Sequence, residues 1–204
     1  MLDKIIHDFL IIWATIDPIG TMALFAGLTA KLSDHERRRT ALKTFGYATA
    51  VLLGAIVIGQ IILTAMGIRM ISFQLAGGII LFLFGLQMIF SRGGQEESTE
   101  SSHDMAVFPL AIPTTATPGA ILAVIVLTDN SVHPITEQIG TALVMMLVLV
   151  ITLGLMLLSG RILQVIGTAG ASILTRLMGM ILAALSVELI MEALGVAKWI
   201  GNLN

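Results

Sequence analysis

The chain has 204 residues, 56% of them hydrophobic and only 12% charged, with a formal net charge of −2 and no cysteine, and its mean hydropathy is +0.97. That charged share is about half that of a soluble domain, and a chain this size could not hide so much apolar surface in water. The composition therefore excludes a soluble protein, a nucleic-acid partner, disulfides and thiolate metal sites, and it predicts an all-α polytopic membrane protein.

A span needs roughly 20 apolar residues, and six candidates follow in chain order: 5–30, 44–66, 70–90, 106–128, 138–159 and 176–196. The first is not expected to be a cleaved leader, because its start is acidic as well as basic and no small-residue cleavage site follows. It is interrupted by Asp17-Pro18-Ile19-Gly20. Ser33-Asp34-His35-Glu36 reads as a capping box, so the second helix is predicted to begin near 34, in water, before entering the bilayer. The fourth span is interrupted by Pro113 and by Thr117-Pro118-Gly119. Proline removes a backbone donor and clashes with the preceding turn. In lipid such a break survives only against protein or a watery cavity.

Residues 91–105 (SRGGQEESTESSHDM) read as a flexible polar linker. They divide the chain into three-span halves, 1–90 and 106–204. The halves echo each other about 100 residues apart. Asp17-Pro18-Ile19-Gly20 answers Thr117-Pro118-Gly119, and Gln74-Leu75-Ala76-Gly77 answers Arg176-Leu177-Met178-Gly179. Three is an odd number of crossings, so the second copy must insert upside down. The expected architecture is six transmembrane helices as two inverted repeats, with the first and fourth helices discontinuous. Lys31, Arg37, Arg38, Arg39, Lys43, Arg92, Arg161 and Arg176 fall on one side, against Lys4, Arg69 and Lys198 on the other. The excess places 31–43 and 91–105 in the cytoplasm and both termini outside.

Paired broken spans are the best pointer to a transporter's binding site. Asp17 lies near mid-span, where a charge is costly and marks function by default, although Asp before Pro is also a good helix cap. An ionised Asp17 would repel a carboxylate at the same helix start, so it suits an ammonium or must be offset or protonated. Thr114, Thr115 and Thr117 stand between or beside Pro113 and Pro118 and offer hydroxyls to a small polar ligand, as does Thr21. Gly20 and Gly119 allow close approach. The helices restarting after Pro18 and Pro118 present amides to an anion, and the carbonyls freed before them suit a cation. A zwitterion matches that paired polarity; the plainer alternative is a kinked helix with threonines bonded back to its own carbonyls. Glu188, mid-way through the sixth span, is the second candidate proton carrier if buried. Gln60, Gln74 and Gln87 read as interhelical hydrogen bonds. Gly46-Ala50-Gly54, Gly77, Gly78, Gly85, Gly179 and Ala183 read as close helix packing, within one chain or in a homo-oligomer.

These residues carry a resemblance to a known family. Asp17-Pro18-Ile19-Gly20 with Phe25, Val107-Phe108-Pro109-Leu110-Ala111-Ile112-Pro113 with Pro118-Gly119-Ala120-Ile121, Ala76-Gly77-Gly78-Ile79 and Arg176-Leu177-Met178-Gly179 resemble the signatures of the MarC-type (SnatA-like) inner-membrane proteins. The resemblance covers nearly the whole chain. It implies six spans in a bacterial inner membrane and, for some members, transport of neutral amino acids. It points to Asp17, Pro18, Gly20, Pro113, Pro118 and Gly119 as the functional core. The family usually has Asn, Pro and Gly where Thr21, Ala23 and Thr117 stand, so the ligand here can differ from glycine or alanine.

The function expected is a secondary transporter of a small neutral amino acid, coupled to a proton or sodium gradient through Asp17 or Glu188, with the bilayer and the substrate as partners and no cofactor or bound metal. An exporter of another small metabolite or drug, or a non-transporting scaffold, are the alternatives. An enzyme is not expected. His7, His35, His103 and His133 fall in loops or near span ends, and no HExxH or Ser–His motif is present.

Overall fold

The computed structural model describes residues 2–90 and 105–196. Met105 apart, the expected linker lies outside the described residues, as do Arg92, His103 and Lys198. The described residues form helices and no strand. The first span is α1 (Leu2–Ile16) followed by α2 (Pro18–Leu28), with Asp17 alone between them. Next comes α3 (Asp34–Ala65), whose start carries the capping box, with Ser33 and Glu36 bonded reciprocally. Its 32 residues make a rod of about 48 Å against a hydrocarbon core of about 30 Å, so one end stands clear of the lipid. α4 (Met70–Phe90) completes the first half.

The second half opens with an irregular, π-type stretch, Ala106–Thr115, in which Phe108 and Ile112 adopt extended backbone ahead of Pro109 and Pro113. Proline disfavours helical conformation in the residue before it, which accounts for both positions. The stretch meets α5 (Pro118–Leu127) at a bend of 53°. A long helical run then covers Ile135–Ala193 and is broken by Gly167 at φ 67°, ψ 173°. Its arms are α6 (Ile135–Gly167) and α7 (Ala169–Ala193). Spans at 138–159 and 176–196 predict a connection over 160–175. The structure keeps it helical because it contains no proline, and one glycine in a conformation open only to glycine turns the chain. By length and apolarity five helices can cross a bilayer, or six if the bent pair counts as one span.

Hydrogen bonds fix which ends share a face. Lys4 at the start of α1 donates to Thr141 near the start of α6. Gln60 near the end of α3 donates to the carbonyl of Thr128, just past α5. Gln74 near the start of α4 donates to Glu192 near the end of α7. Hence α1 begins and α7 ends on one face. The opposite face holds the start of α3 and the end of α6, joined by Arg37 and Ser159. Lys31 through Lys43, Arg161 and Arg176 gather toward that second face.

The broken spans occupy the centre. Ile12 and Ile16 of α1, Ala120 and Val124 of α5, Leu52 of α3 and Met145 of α6 share one core. Leu81 of α4, Leu122 of α5 and Leu182 of α7 share another. Around them the outward side chains are apolar: Val57, Ile61, Leu83 and Leu143 are all at least 60% exposed. An apolar belt of this kind is what lipid contact requires. α4 and α7 cross through small residues. A Cβ on Gly85 would stand 2.9 Å from the Ala183 amide nitrogen and the Gly179 carbonyl oxygen, and one on Gly78 would stand 3.2 Å from the Ser186 carbonyl. The Gly46-Ala50-Gly54 stripe differs: Gly46 and Gly54 have open space where a Cβ would point. It packs against nothing among the described residues.

Candidate functional site

α2 and α5 are the short helices that restart inside the broken spans, each with proline in its first turn. Asp17 takes φ 49° and ψ 71°, a left-handed conformation that Asp tolerates better than most residues. It turns the chain and caps α2: its Oδ1 accepts from the Gly20 amide at 3.1 Å. At 6% exposed it is buried. Gly20 leaves room for the Asp17 carboxylate to fold back over α2, and a Cβ there would displace it. Thr117 caps α5 in the same way, its hydroxyl accepting from the Ala120 amide at 2.8 Å. The far ends match as well. Thr29 donates to the Phe25 carbonyl and Thr128 to the Val124 carbonyl, each at 2.6 Å.

The two breaks touch. The Thr117 hydroxyl donates to the Thr15 carbonyl at 2.8 Å, one of the acceptors that the first break frees from helical pairing. Thr21 donates to the carbonyls of Ile16 at 3.4 Å and Thr114 at 3.5 Å. Thr115 donates to the Leu110 carbonyl at 2.8 Å, and the Ala116 amide donates to the Ala111 carbonyl at 2.8 Å. Buried backbone groups must find partners, and in this crossing threonine hydroxyls supply them.

The structure therefore brings Asp17, Pro18, Gly20, Thr21, Thr114, Thr115, Thr117 and Gly119 to one crossing, and it assigns some of them different work from that expected. The hydroxyls of Thr21, Thr115 and Thr117 bond backbone carbonyls instead of facing open space. Gly119 lies under Leu81, whose side chain a Cβ would overlap, so it serves the packing of α4 on α5. Pro113 and Pro118 are exposed at the edge of the crossing. Glu188, a candidate proton carrier only if buried, is exposed on α7 and joins no hydrogen bond or ion pair among the described residues. In a helix apolar on all sides the pattern does not say which face turns inward. Gln60 and Gln74 bond across helices as expected, whereas Gln87 is exposed.

Two features escaped sequence reading. Asp8 of α1 is 2% exposed and bonds Lys4 and Thr141. Arg37 at the start of α3 reaches Ser159 and lies over the Phe25 ring at 5.7 Å. A Lys-x-x-x-Asp spacing in the first turns of a span was the available signal for Asp8. Among the described residues, no group of three His, Cys, Asp or Glu could hold a metal ion.

Helices with an apolar belt, packed around two interrupted spans, define an integral polytopic membrane protein. The chain belongs to the MarC family: the family described as MarC family integral membrane protein matches residues 2–198. It is 36% identical over 205 residues to a UPF0056 membrane protein of Methanocaldococcus jannaschii, covering 95% of this chain and 97% of that one. It is 30% identical over 201 residues to a UPF0056 membrane protein of Buchnera aphidicola, covering 98% and 100%. It is 31% identical over 195 residues to the UPF0056 inner membrane protein MarC of Escherichia coli, covering 87% and 88%. No solved structure matches.

Proposed function

We propose that this protein is a secondary transporter of a small neutral amino acid of the glycine, alanine and serine class, coupled to protons or sodium and working by alternating access. Its halves are read as inverted repeats, and the carrying observation is the crossing itself. α2 and α5 start 100 residues apart, each capped by the residue before its proline, each ending in a back-bonded threonine, with Thr117 joined to Thr15 across the two spans. The antiparallel contact of α4 with α7 through Gly85–Gly179 and Gly78–Ser186 fits the same two-fold relation.

The caps differ in charge, and that difference supplies a polarity. The start of α2 already holds the Asp17 carboxylate, so a substrate carboxylate is repelled there and an ammonium is attracted. The start of α5 is capped by a neutral hydroxyl and keeps its attraction for an anion. A zwitterion bound between them lies with its ammonium toward Asp17 and its carboxylate toward α5. Coupling is assigned to Asp17, the carboxylate at the crossing. Admission of substrate parts the Thr117–Thr15 bond, so the arrangement described corresponds to a closed crossing. The membrane is read as a cytoplasmic one, with the Arg- and Lys-rich face inward and both chain ends outside.

A second reading, a non-transporting scaffold, is favoured by one observation: the hydroxyls of Thr21, Thr115 and Thr117 are all spent on backbone carbonyls. Equilibrium binding of glycine, alanine and serine to the purified protein separates the two. Replacing Pro118→Ala frees the φ angle that proline fixes where α5 restarts, and affinity is expected to fall about tenfold, or about 1.4 kcal/mol. Unaltered affinity in that variant counts against the site.

A further inference from the structure

Away from the crossing, on the face where α1 begins, lies a recess of about 260 Å³ lined by Lys4, Ile5, Asp8, Thr136, Glu137, Gly140 and Thr141. Its floor is built for an ammonium group. The Lys4 ammonium donates to Asp8 Oδ2 at 2.9 Å and to Thr141 Oγ1 at 3.3 Å. Thr141 donates to the same Asp8 oxygen at 2.6 Å, which holds the hydroxyl's lone pairs toward the cation. The other carboxylate oxygen, Asp8 Oδ1, is buried and has no hydrogen-bond partner among the described residues; the exposed His7 ring stands 3.7 Å away. A buried carboxylate oxygen without a donor is costly, and a donor arriving there would be bound strongly. A second carboxylate, Glu137, lines the recess with His133 Nδ1 at 3.0 Å. Gly140 keeps the space open, since a Cβ built on it meets nothing within 4 Å.

We propose that this recess is a second binding site, selective for the primary ammonium group of a small molecule. Two carboxylates against one lysine favour a cation. Pockets for drug-sized ligands run from about 300 Å³ upward, so this volume suits a smaller one. The arriving ammonium takes the place of Lys4 on Asp8 Oδ2 and Thr141. Lys4 thus acts as a tethered competitor. The recess joins α1 of one half to α6 of the other. A role as an entry site for a zwitterion rests on the transporter reading; the ammonium site itself does not.

The test is binding of methylammonium, glycine and acetate to the detergent-purified full-length protein, followed by saturation-transfer NMR and titration. Methylammonium and glycine are expected to bind and acetate to fail. Gly140→Leu fills the recess without touching a charge and is expected to weaken methylammonium at least about tenfold, as is Asp8→Asn, while glycine can still bind at the crossing. Lys4→Met removes the competitor and tightens methylammonium. If Asp8→Asn does not fold, Gly140→Leu decides alone, because it adds a side chain into open space on an intact helix. Equal methylammonium binding in wild type and Gly140→Leu, or no methylammonium binding to wild type, overturns the assignment. Methylammonium binding lost in Gly140→Leu, in a protein that transports nothing in liposomes, upholds the recess and removes the transporter. Transport with unchanged kinetics in Gly140→Leu, together with unchanged methylammonium binding, does the reverse.

Discussion

Thr117→Val tests whether the two breaks hold each other. Valine keeps the branched shape and loses both hydrogen bonds of the hydroxyl: the one accepted from Ala120 and the one donated to Thr15, each 2.8 Å. Loss of a helix N-cap costs typically about 1 kcal/mol. The Thr15 carbonyl is left buried without its cross-span donor, which costs about 1–3 kcal/mol. Hydrogen bonds measured between membrane helices are weaker than this sum suggests, averaging about 0.6 kcal/mol, because the unfolded chain in a micelle also finds partners. The larger value is tempered accordingly, and the expected destabilisation is about 2 kcal/mol. Reversible unfolding in mixed micelles, followed by helicity, measures it. Thr117→Ser keeps the hydroxyl and stays near wild type. Thr117→Val within about 0.5 kcal/mol of wild type, the scatter of an ordinary surface change, would refute the argument that this bond seals the crossing.

Other perturbations have definite signs. Gly85→Ala puts a Cβ 2.9 Å from two backbone atoms of α7, neither able to rotate away, and is expected to cost about 1–3 kcal/mol in the same unfolding assay. Gly46→Ala, where nothing lies within 4 Å, is expected to gain about 0.5–1 kcal/mol from helix propensity alone. Gly167→Ala forces φ 67°, ψ 173° on a residue with a Cβ and is expected to cost about 1–3 kcal/mol, seen as a lowered melting temperature in detergent.

How far the sequence carries depends on whether a feature is local. Proline announces its own break, so the interruptions at Pro18, Pro113 and Pro118 were readable, as was the Ser33–Glu36 capping box, whose partners are three residues apart. The start and end of α4 were readable for a related reason: an apolar run bounded by polar residues has little else to do. The turn at Gly167 was not, because glycine is tolerated inside helices and nothing nearby forbids one from continuing. The use of Thr117 was hidden too. A hydroxyl beside a break is equally good for a ligand or a carbonyl, and the carbonyl it found belongs to a residue 102 positions away. Asp8 pairs with Thr141 across 133 positions, and Glu188 sits on a helix with no polar face to orient it.

The central claim is that the crossing at Asp17 carries and couples a substrate. The most direct measurement is uptake of radiolabelled glycine, alanine and serine into proteoliposomes under imposed proton or sodium gradients, comparing wild type with Asp17→Asn. The account predicts gradient-driven uptake by wild type, and in Asp17→Asn a loss of that drive with some exchange retained. Driven uptake and exchange that both survive unchanged in Asp17→Asn would reduce Asp17 to a helix cap and contradict the account.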